Sequence, residues 1–317
     1  METALTRMLG IEHPVIMAPM FLVSNTRMVL AAMNAGITGA IPALNYRTDQ
    51  EFRAALDELR KHGKPYGINL IVNRSNYRLK EQLQTCLEYK VPFIITSLGH
   101  PGKVIESCRP LGIRVFCDVS DMAYAHKAAS LHPDALIAVN SEAGGHCGTI
   151  PATEFVPALV QAFPEIPIIS AGGVGDHASM QKMLSLGACG VSVGTPFIAT
   201  EESPVSMEYK MACVEHSSMD IVLTTKLSGV PCTVINTPYV QKIGTRQNWL
   251  ESLLSKNRTL KKWAKILIYK RGMNKLAKAA FSATYQNVWC AGPTVDYIDK
   301  IRPVKEVVER IVRPGVR

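Results

Sequence analysis

The run Asn140-Ser141-Glu142-Ala143-Gly144-Gly145-His146-Cys147-Gly148 sets one ionisable imidazole in a glycine-rich loop, directly after the apolar stretch Ala135-Leu136-Ile137-Ala138-Val139. A buried strand that runs into such a loop can bring its backbone close to a flat ligand, because glycine accepts positive φ and carries no Cβ. Histidine titrates nearest to neutral pH, so His146 is the candidate group for moving a proton. For this loop alone a second reading stands level with it: Gly144 and Gly145 form a tight strand-to-helix turn, and His146 bonds a nearby carbonyl. Glu142 is a competing base, and a carboxylate at that place is expected to turn to backbone amides of its own loop.

Two further loops have the composition of an anion cradle. Ser170-Ala171-Gly172-Gly173-Val174-Gly175 follows the apolar run at Ile166, and Gly194-Thr195-Pro196-Phe197 follows Gly190-Val191-Ser192-Val193. Glycine amides can point at a phosphate without side-chain obstruction, and Thr195 adds a hydroxyl donor. Plain tight turns would account for either loop alone, and much less readily for both together.

The elements that position these loops follow from apolar runs and helical spacing. Strands are expected to start near residues 15, 38, 66, 93, 114, 135, 167 and 190. Between them, helices are predicted over Thr26 to Ala35, from Asp49 with a Thr48/Glu51 capping box, over Tyr77 to Tyr89, and from Pro101. Further helices run from a Ser120 N-cap to Leu131, over Thr153 to Phe163, and from His177 to Leu186. Eight near-continuous apolar strands alternating with helices predict a (β/α)8 TIM barrel, an α/β fold whose βα loops open on one face. On that fold the two glycine loops follow the seventh and eighth strands, where phosphate-binding barrels hold their ligand. An open doubly wound sheet gives the same alternation.

Residues 1–200 are therefore read as the barrel core. Residues 201–295 are read as an appended helical, basic region over the barrel mouth, with a helix over Pro204 to Val214 and an extended stretch from Asp220 to Ile235. Residues 296–317 close on the barrel as a last helix. The net charge of +9 is concentrated in one place: nine cations fall between Lys256 and Lys278, and no Asp or Glu occurs from Ser252 to Val295. Leu260, Trp263, Ile266 and Leu267 give that segment an apolar face, so it reads either as a solvated helix or as a cap that draws anions to the mouth.

No apolar run approaches the ~20 residues that cross a bilayer, and the N-terminus lacks the order of a signal peptide, so a cytoplasmic protein is expected. The eight cysteines form no Cys-x-x-Cys pair and no cluster at zinc spacing. They are expected to be reduced, mostly buried thiols, with no metal site.

In order, Ala18-Pro19-Met20, Gly67-Ile68-Asn69, Glu142-Ala143-Gly144-Gly145-His146, Ala171-Gly172-Gly173 and Gly194-Thr195 resemble the nitronate monooxygenase family, formerly the 2-nitropropane dioxygenases. The related FMN-dependent enoyl-acyl-carrier-protein reductases are similar too. The likeness covers roughly residues 10–235 and returns at Trp289-Cys290-Ala291-Gly292. It implies an FMN-binding barrel with phosphate held by Gly172, Gly173, Gly194 and Thr195, and Pro19, Met20 and Asn69 near the flavin ring. His146, flanked by Gly144 and Gly145, would stand over that ring as the active-site histidine. Three departures stand out. Phe21-Leu22-Val23-Ser24 lies where many relatives carry a glycine soon after the methionine, Asp118 ends the fifth strand where relatives often have a neutral or basic group, and Pro293 replaces a common glutamine. Asp118 reads first as a capped strand end and second as another acid–base group.

The resemblance implies oxidation of alkyl nitronates, or of nitroalkanes, with O2 to a carbonyl compound and nitrite. On the same scaffold stands the alternative of an NAD(P)H-dependent enoyl-thioester or quinone reductase, whose partners would include an acidic carrier protein. A third reading makes the basic segment a binding surface for acidic partners. Nucleic acid is not an expected partner, and oligomerisation is left open.

Overall fold

The computed structural model describes residues 1–74, 76–225, 231–245 and 288–316. Eight parallel strands close into a barrel: β1 (Val15–Met17), β2 (Thr38–Pro42), β3 (Gly67–Ile71), β4 (Phe93–Ser97), β5 (Arg114–Val119), β6 (Ala135–Val139), β8 (Ile168–Ala171) and β9 (Gly190–Val193). Closure runs through β1 and β9, where Ile16 pairs with Ser192. The expected (β/α)8 barrel is the observed fold. Its strands are apolar on both faces because one face fills the barrel and the other packs on helices.

Inside the barrel, Ile16, Ala40, Ile95, Ile137 and Ile169 pack around the stacked rings of Phe93 and Phe116, whose centroids lie 5.1 Å apart. Helix α1 (Ala4–Leu9) closes the floor with Leu5 and Leu9, which belong to the same cluster. The outer wall includes α2 (Thr26–Asn34), α3 (Asp49–Arg60), α4 (Leu79–Tyr89), α5 (Gly102–Cys108), α6 (Met122–Ala129), α7 (Ala152–Ala162) and α8 (His177–Ser185). The Thr48/Glu51 capping box forms as the spacing predicts.

Helix α6 departs from expectation. Its N-cap is Asp121, not Ser120: the Asp121 carboxylate accepts from the Tyr124 amide at 2.7 Å, and the helix ends at Ala129. A carboxylate one residue later serves the helix N-terminus better than the hydroxyl, because it is also attracted by the helix dipole.

The described part of residues 201–295 is mixed. Ser206 caps α9 (Met207–Glu215), and the stretch read as extended forms an antiparallel ribbon of β10 (Ile221–Thr224) and β11 (Cys232–Ile235), followed by α10 (Pro238–Ile243). The ribbon comes to the barrel mouth, where β11 pairs with a two-residue strand, β7 (Gly145–His146). The basic segment Lys256 to Lys278 lies outside the described residues. After residue 296 the helix is confined to Val304–Val312, because Pro303 fixes its start. Val304, Val307, Val308 and Ile311 bury one face of it, and it packs on α2 and α8.

Among the described residues no helix is long and apolar enough to cross a membrane. No cluster there could hold a metal. All eight cysteines are free, six of them buried.

Gly67 opens β3 where a side chain would enter the ring of Phe93: an ideal Cβ there would lie 2.2 Å from Phe93 Cε2. Gly67→Ala is expected to cost about 1–3 kcal/mol through overpacking of the barrel interior. Urea unfolding checks this, and an unchanged midpoint would mean that the ring moves aside freely.

Candidate active site

The loop after β6 is built on Asn140, whose side chain is wholly buried. Its Oδ1 accepts from the Glu142 amide at 2.8 Å, and its Nδ2 donates to the Gly172 carbonyl at 3.3 Å, so one side chain ties the histidine loop to the first glycine loop. The two glycines within the histidine loop serve different ends. Gly145 has φ +75 and open space beside it, whereas Gly144 lies so close to other segments that a Cβ would fall 2.3 Å from Thr195 Oγ1. His146 is then held from outside the barrel. It pairs with Cys232 in the ribbon, and Thr233 Oγ1 donates to the Ala143 carbonyl at 2.9 Å.

Around His146 opens a cavity of about 700 Å³ at the C-terminal ends of the strands. Every residue singled out from the sequence as a site candidate lines it. Pro19, Met20 and Asn69 come from the ends of β1 and β3, and Gly144, Gly145 and His146 from the loop after β6. Gly172, Gly173, Gly194 and Thr195 come from the loops after β8 and β9. Gly172 and Gly173 have φ +113 and +78, conformations that favour glycine. Thr195 is buried, and its Oγ1 accepts from the Gly292 amide at 3.0 Å, so it joins the returning segment to the barrel as well as facing the cavity.

Glu142 does not turn to the amides of its own loop. Its carboxylate lies against the neighbouring loop, with Oε2 only 2.0 Å from where a Cβ on Gly173 would stand. Of the three departures, Phe21 and Asp118 line the cavity, and Pro293 does not. The turn that carries Phe21 places Leu22 at φ +59, a left-handed conformation that costs a non-glycine residue of order 1–2 kcal/mol. The Leu22 amide donates to Asn45 Oδ1 at 2.8 Å, which holds the turn in place.

A polar chain missed by sequence reasoning crosses the ends of β3, β4 and β5. Asn69 Nδ2 donates to the Ile95 carbonyl at 3.1 Å and to Ser97 Oγ at 2.7 Å, and Ser97 Oγ donates to Asp118 Oδ2 at 2.5 Å. Asp118 is thus no strand cap. Burial pushes its carboxyl up to about 7, against the opposing effect of the Ser97 bond. The same cause acts on His146 in the other direction and pushes its imidazole down to about 4. Near neutral pH that shift favours the uncharged imidazole, which can accept a proton.

A closed barrel whose mouth gathers a neutral histidine, two glycine loops and a largely apolar cavity has the form of a barrel oxidoreductase. The model of the nitronate monooxygenase family matches residues 75–314. The chain belongs to the nitronate monooxygenase family and is an oxidoreductase. A (3aS,4S,5R,7aS)-5-hydroxy-7a-methyl-1-oxo-octahydro-1H-indene-4-carboxyl-CoA dehydrogenase of Rhodococcus jostii is 26% identical over 100% of this chain and 96% of its own. A probable nitronate monooxygenase of Staphylococcus haemolyticus is 27% identical, with 75% of this chain and 79% of that protein covered. Among solved structures, FabK from Thermotoga maritima superposes with a TM-score of 0.85 at 29% identity, over 99% of this chain and 96% of that one.

Asn140→Ala removes the bond to Gly172 that ties the two loops together and the bond to Glu142 that braces the histidine loop. Each backbone group left buried and unpaired costs about 1–3 kcal/mol, so the midpoint of urea unfolding is expected to fall clearly. A parent-like midpoint would mean that water replaces the side chain at no cost.

Proposed function

We propose that the chain binds FMN and oxidises alkyl nitronates with O2 to a carbonyl compound and nitrite. The observation that carries the reading is the neutral His146 beside a glycine-lined, largely apolar cavity, in a chain of the nitronate monooxygenase family. The residues fit FMN: a cavity of about 700 Å³ accommodates a cofactor with a small substrate, and the loops at Gly172–Gly173 and Gly194–Thr195 offer amides at one end of it. When bound, FMN supplies the redox chemistry, accepting electrons from the substrate and passing them to O2.

The chain's own residues have three tasks on this reading. Gly172, Gly173, Gly194 and Thr195 hold the phosphate, and Pro19, Met20 and Asn69 border the flavin ring, with Gly144 and Gly145 carrying the backbone past it. The unprotonated ring nitrogen of His146 takes the α-proton of a neutral nitroalkane. With a preformed nitronate that proton is already gone, and an uncharged imidazole leaves the anion's charge to other donors.

A second reading is redox chemistry on an acyl thioester, with NAD(P)H as reductant in the enoyl-thioester or quinone reductase form. It is favoured by the full-length likeness to a dehydrogenase named for a CoA ester. There the basic stretch 256–278 would serve an anionic thioester or an acidic carrier protein. The division into a core over 1–200, an appended region over 201–295 and a closing segment over 296–317 belongs to either reading.

Purified protein is expected to be yellow and to release FMN, not FAD. Under anaerobic conditions the flavin should bleach rapidly with propane-2-nitronate and slowly with NADH or NADPH; the reverse order establishes the reductase reading. Gly173→Val should lose FMN, because a β-branched side chain at φ +78 strains the loop and blocks approach to its amides. Full flavin occupancy in that variant would place the phosphate elsewhere.

His146→Ala should keep FMN and lose on the order of 10²-fold in turnover of neutral nitroalkane, with a smaller loss for nitronate. Since the imidazole stays neutral down to about pH 4, the parent's rate should show no acid limb near the ordinary histidine value. A limb there that disappears in His146→Ala would mean that the ring is open to bulk water.

A further inference from the structure

The cavity holds a second ionisable group to which neither reading gives a task. Asp118 is the penultimate residue of β5 and lines the cavity, and its bonds have a fixed direction. Asn69 Nδ2 spends its two protons on the Ile95 carbonyl and on Ser97 Oγ. Ser97 Oγ, accepting from Asn69, therefore directs its own proton to Asp118 Oδ2. An oxygen already occupied as an acceptor is the poorer place for the acid proton, which is left to Oδ1. Among the described residues Oδ1 has no hydrogen-bond partner.

The surroundings shift the balance towards the protonated form. Among the described residues no cation pairs with the carboxyl, and no backbone amide donates to it. From α6, the Tyr124 hydroxyl turns away to donate to the Gly99 carbonyl. On the same strand Cys117 points to the barrel wall, where Thr96 Oγ1 donates to its sulfur at 3.3 Å. Glu142 and His146 line the same cavity from the loop after β6, and Asp121 and Lys127 stand exposed at its rim. Burial without compensating charge favours the neutral acid.

We propose that Asp118 is the hydrogen-bond donor that receives the anionic oxygen of the substrate, with Ser97 and Asn69 directing its proton into the cavity. A carboxylic acid kept neutral by an apolar site is a strong donor to an oxyanion, and the bond strengthens where water is excluded. The ligand class is a small anion with its charge delocalised onto oxygen. The assignment rests on the nitronate reading above, since a nitronate is such an anion from the moment it binds. Once ionised, the same group would repel the substrate it had held, so binding should weaken as pH rises through about 7.

The test follows kcat/KM of the FMN-loaded enzyme for propane-2-nitronate across neutral and alkaline pH. In the parent it should fall tenfold for each unit above about pH 7, as a single deprotonation requires. Asp118→Asn stays neutral and still has an N–H to donate, so the fall should vanish. Asp118→Leu should also be flat but on the order of 10²-fold lower, as for loss of one oxyanion donor. Ser97→Ala should move the fall to higher pH, because the lost bond favoured the ionised form.

Independently of turnover, infrared difference spectra of the holoprotein should contain a protonated-carboxyl band at neutral pH that is absent from Asp118→Asn. An alkaline fall that persists in Asp118→Asn overturns the proposal, as does parent-like kcat/KM in Asp118→Leu or the absence of that band. If the parent binds propane-2-nitronate without turning it over, the nitronate reading fails alone, and the dissociation constant read from flavin absorbance carries the same pH test. A parent that does not bind the anion overturns both.

Discussion

Three chain segments far apart in sequence meet at Gly144, Thr195 and Gly292, and the rest of the site depends on how closely they pass. A Cβ on Gly144 would lie 2.3 Å from Thr195 Oγ1 and 2.9 Å from the Gly292 nitrogen, and one on Gly292 would lie 2.8 Å from the Gly144 nitrogen. Neither glycine needs positive φ; what each supplies is the absence of a side chain. The approach lets the Gly292 amide reach Thr195 Oγ1, so the segment returning at Val288 closes one wall of the cavity. Trp289 is buried behind it, stacked on Tyr209 with centroids 5.6 Å apart, and the Tyr209 hydroxyl donates to the Cys290 carbonyl. The Ile235 amide donates to the Trp289 carbonyl at 2.9 Å, which joins this wall to the ribbon that holds His146. A bulkier residue at position 144 would therefore disturb the histidine, the loop after β9 and the closing wall together.

The enclosure produced by that contact sets the electrostatics. Burial is the first cause of both shifts, and it moves His146 and Asp118 in opposite directions because each is driven towards its uncharged form. In water at neutral pH Asp118 would be an anion; here it is poised between its two forms. The cavity therefore presents one carboxyl whose protonated form can donate and one imidazole whose neutral form can accept. Polar groups in a dry cavity act more strongly than in solvent, which lets a site with few of them be selective.

The barrel could be read from the sequence because parallel strands covered on both faces must be continuous apolar runs, and those runs are local. Ile16, Ile68, Ile94, Val115 and Ile137 announce their strands without knowledge of any partner. The glycine loops and His146 could be read for the same reason, since each lies within a few residues of a strand end. The chain Asn69–Ser97–Asp118 could not. It exists because β3 and β4 pair with Asn69 beside Ile95 and Ile71 beside Ser97, and β4 and β5 with Thr96 beside Cys117, which leaves Ser97 between Asn69 and Asp118 and within reach of both. That stagger is a property of the closed barrel, and no single strand's composition encodes it. Taken alone, Asp118 looked like a strand cap. The pairing of β7 with β11 was hidden in the same way: Asp220 to Ile235 looked extended, but its partner is only two residues long and lies inside the histidine loop.

The two substrate readings differ less in chemistry than in size. A nitronate and the enolate of a thioester both place negative charge on an oxygen attached near the reacting carbon, so one donor and one neutral base would serve either. Discrimination must then come from shape. Phe21 presses into the cavity from a turn whose Leu22 is held at φ +59 by its bond to Asn45, and such strain persists only where the surroundings enforce it. Tyr124 and the exposed cation Lys127 also line the cavity, from α6. A measurement that separates the readings must therefore vary the ligand's length while keeping its anionic oxygen.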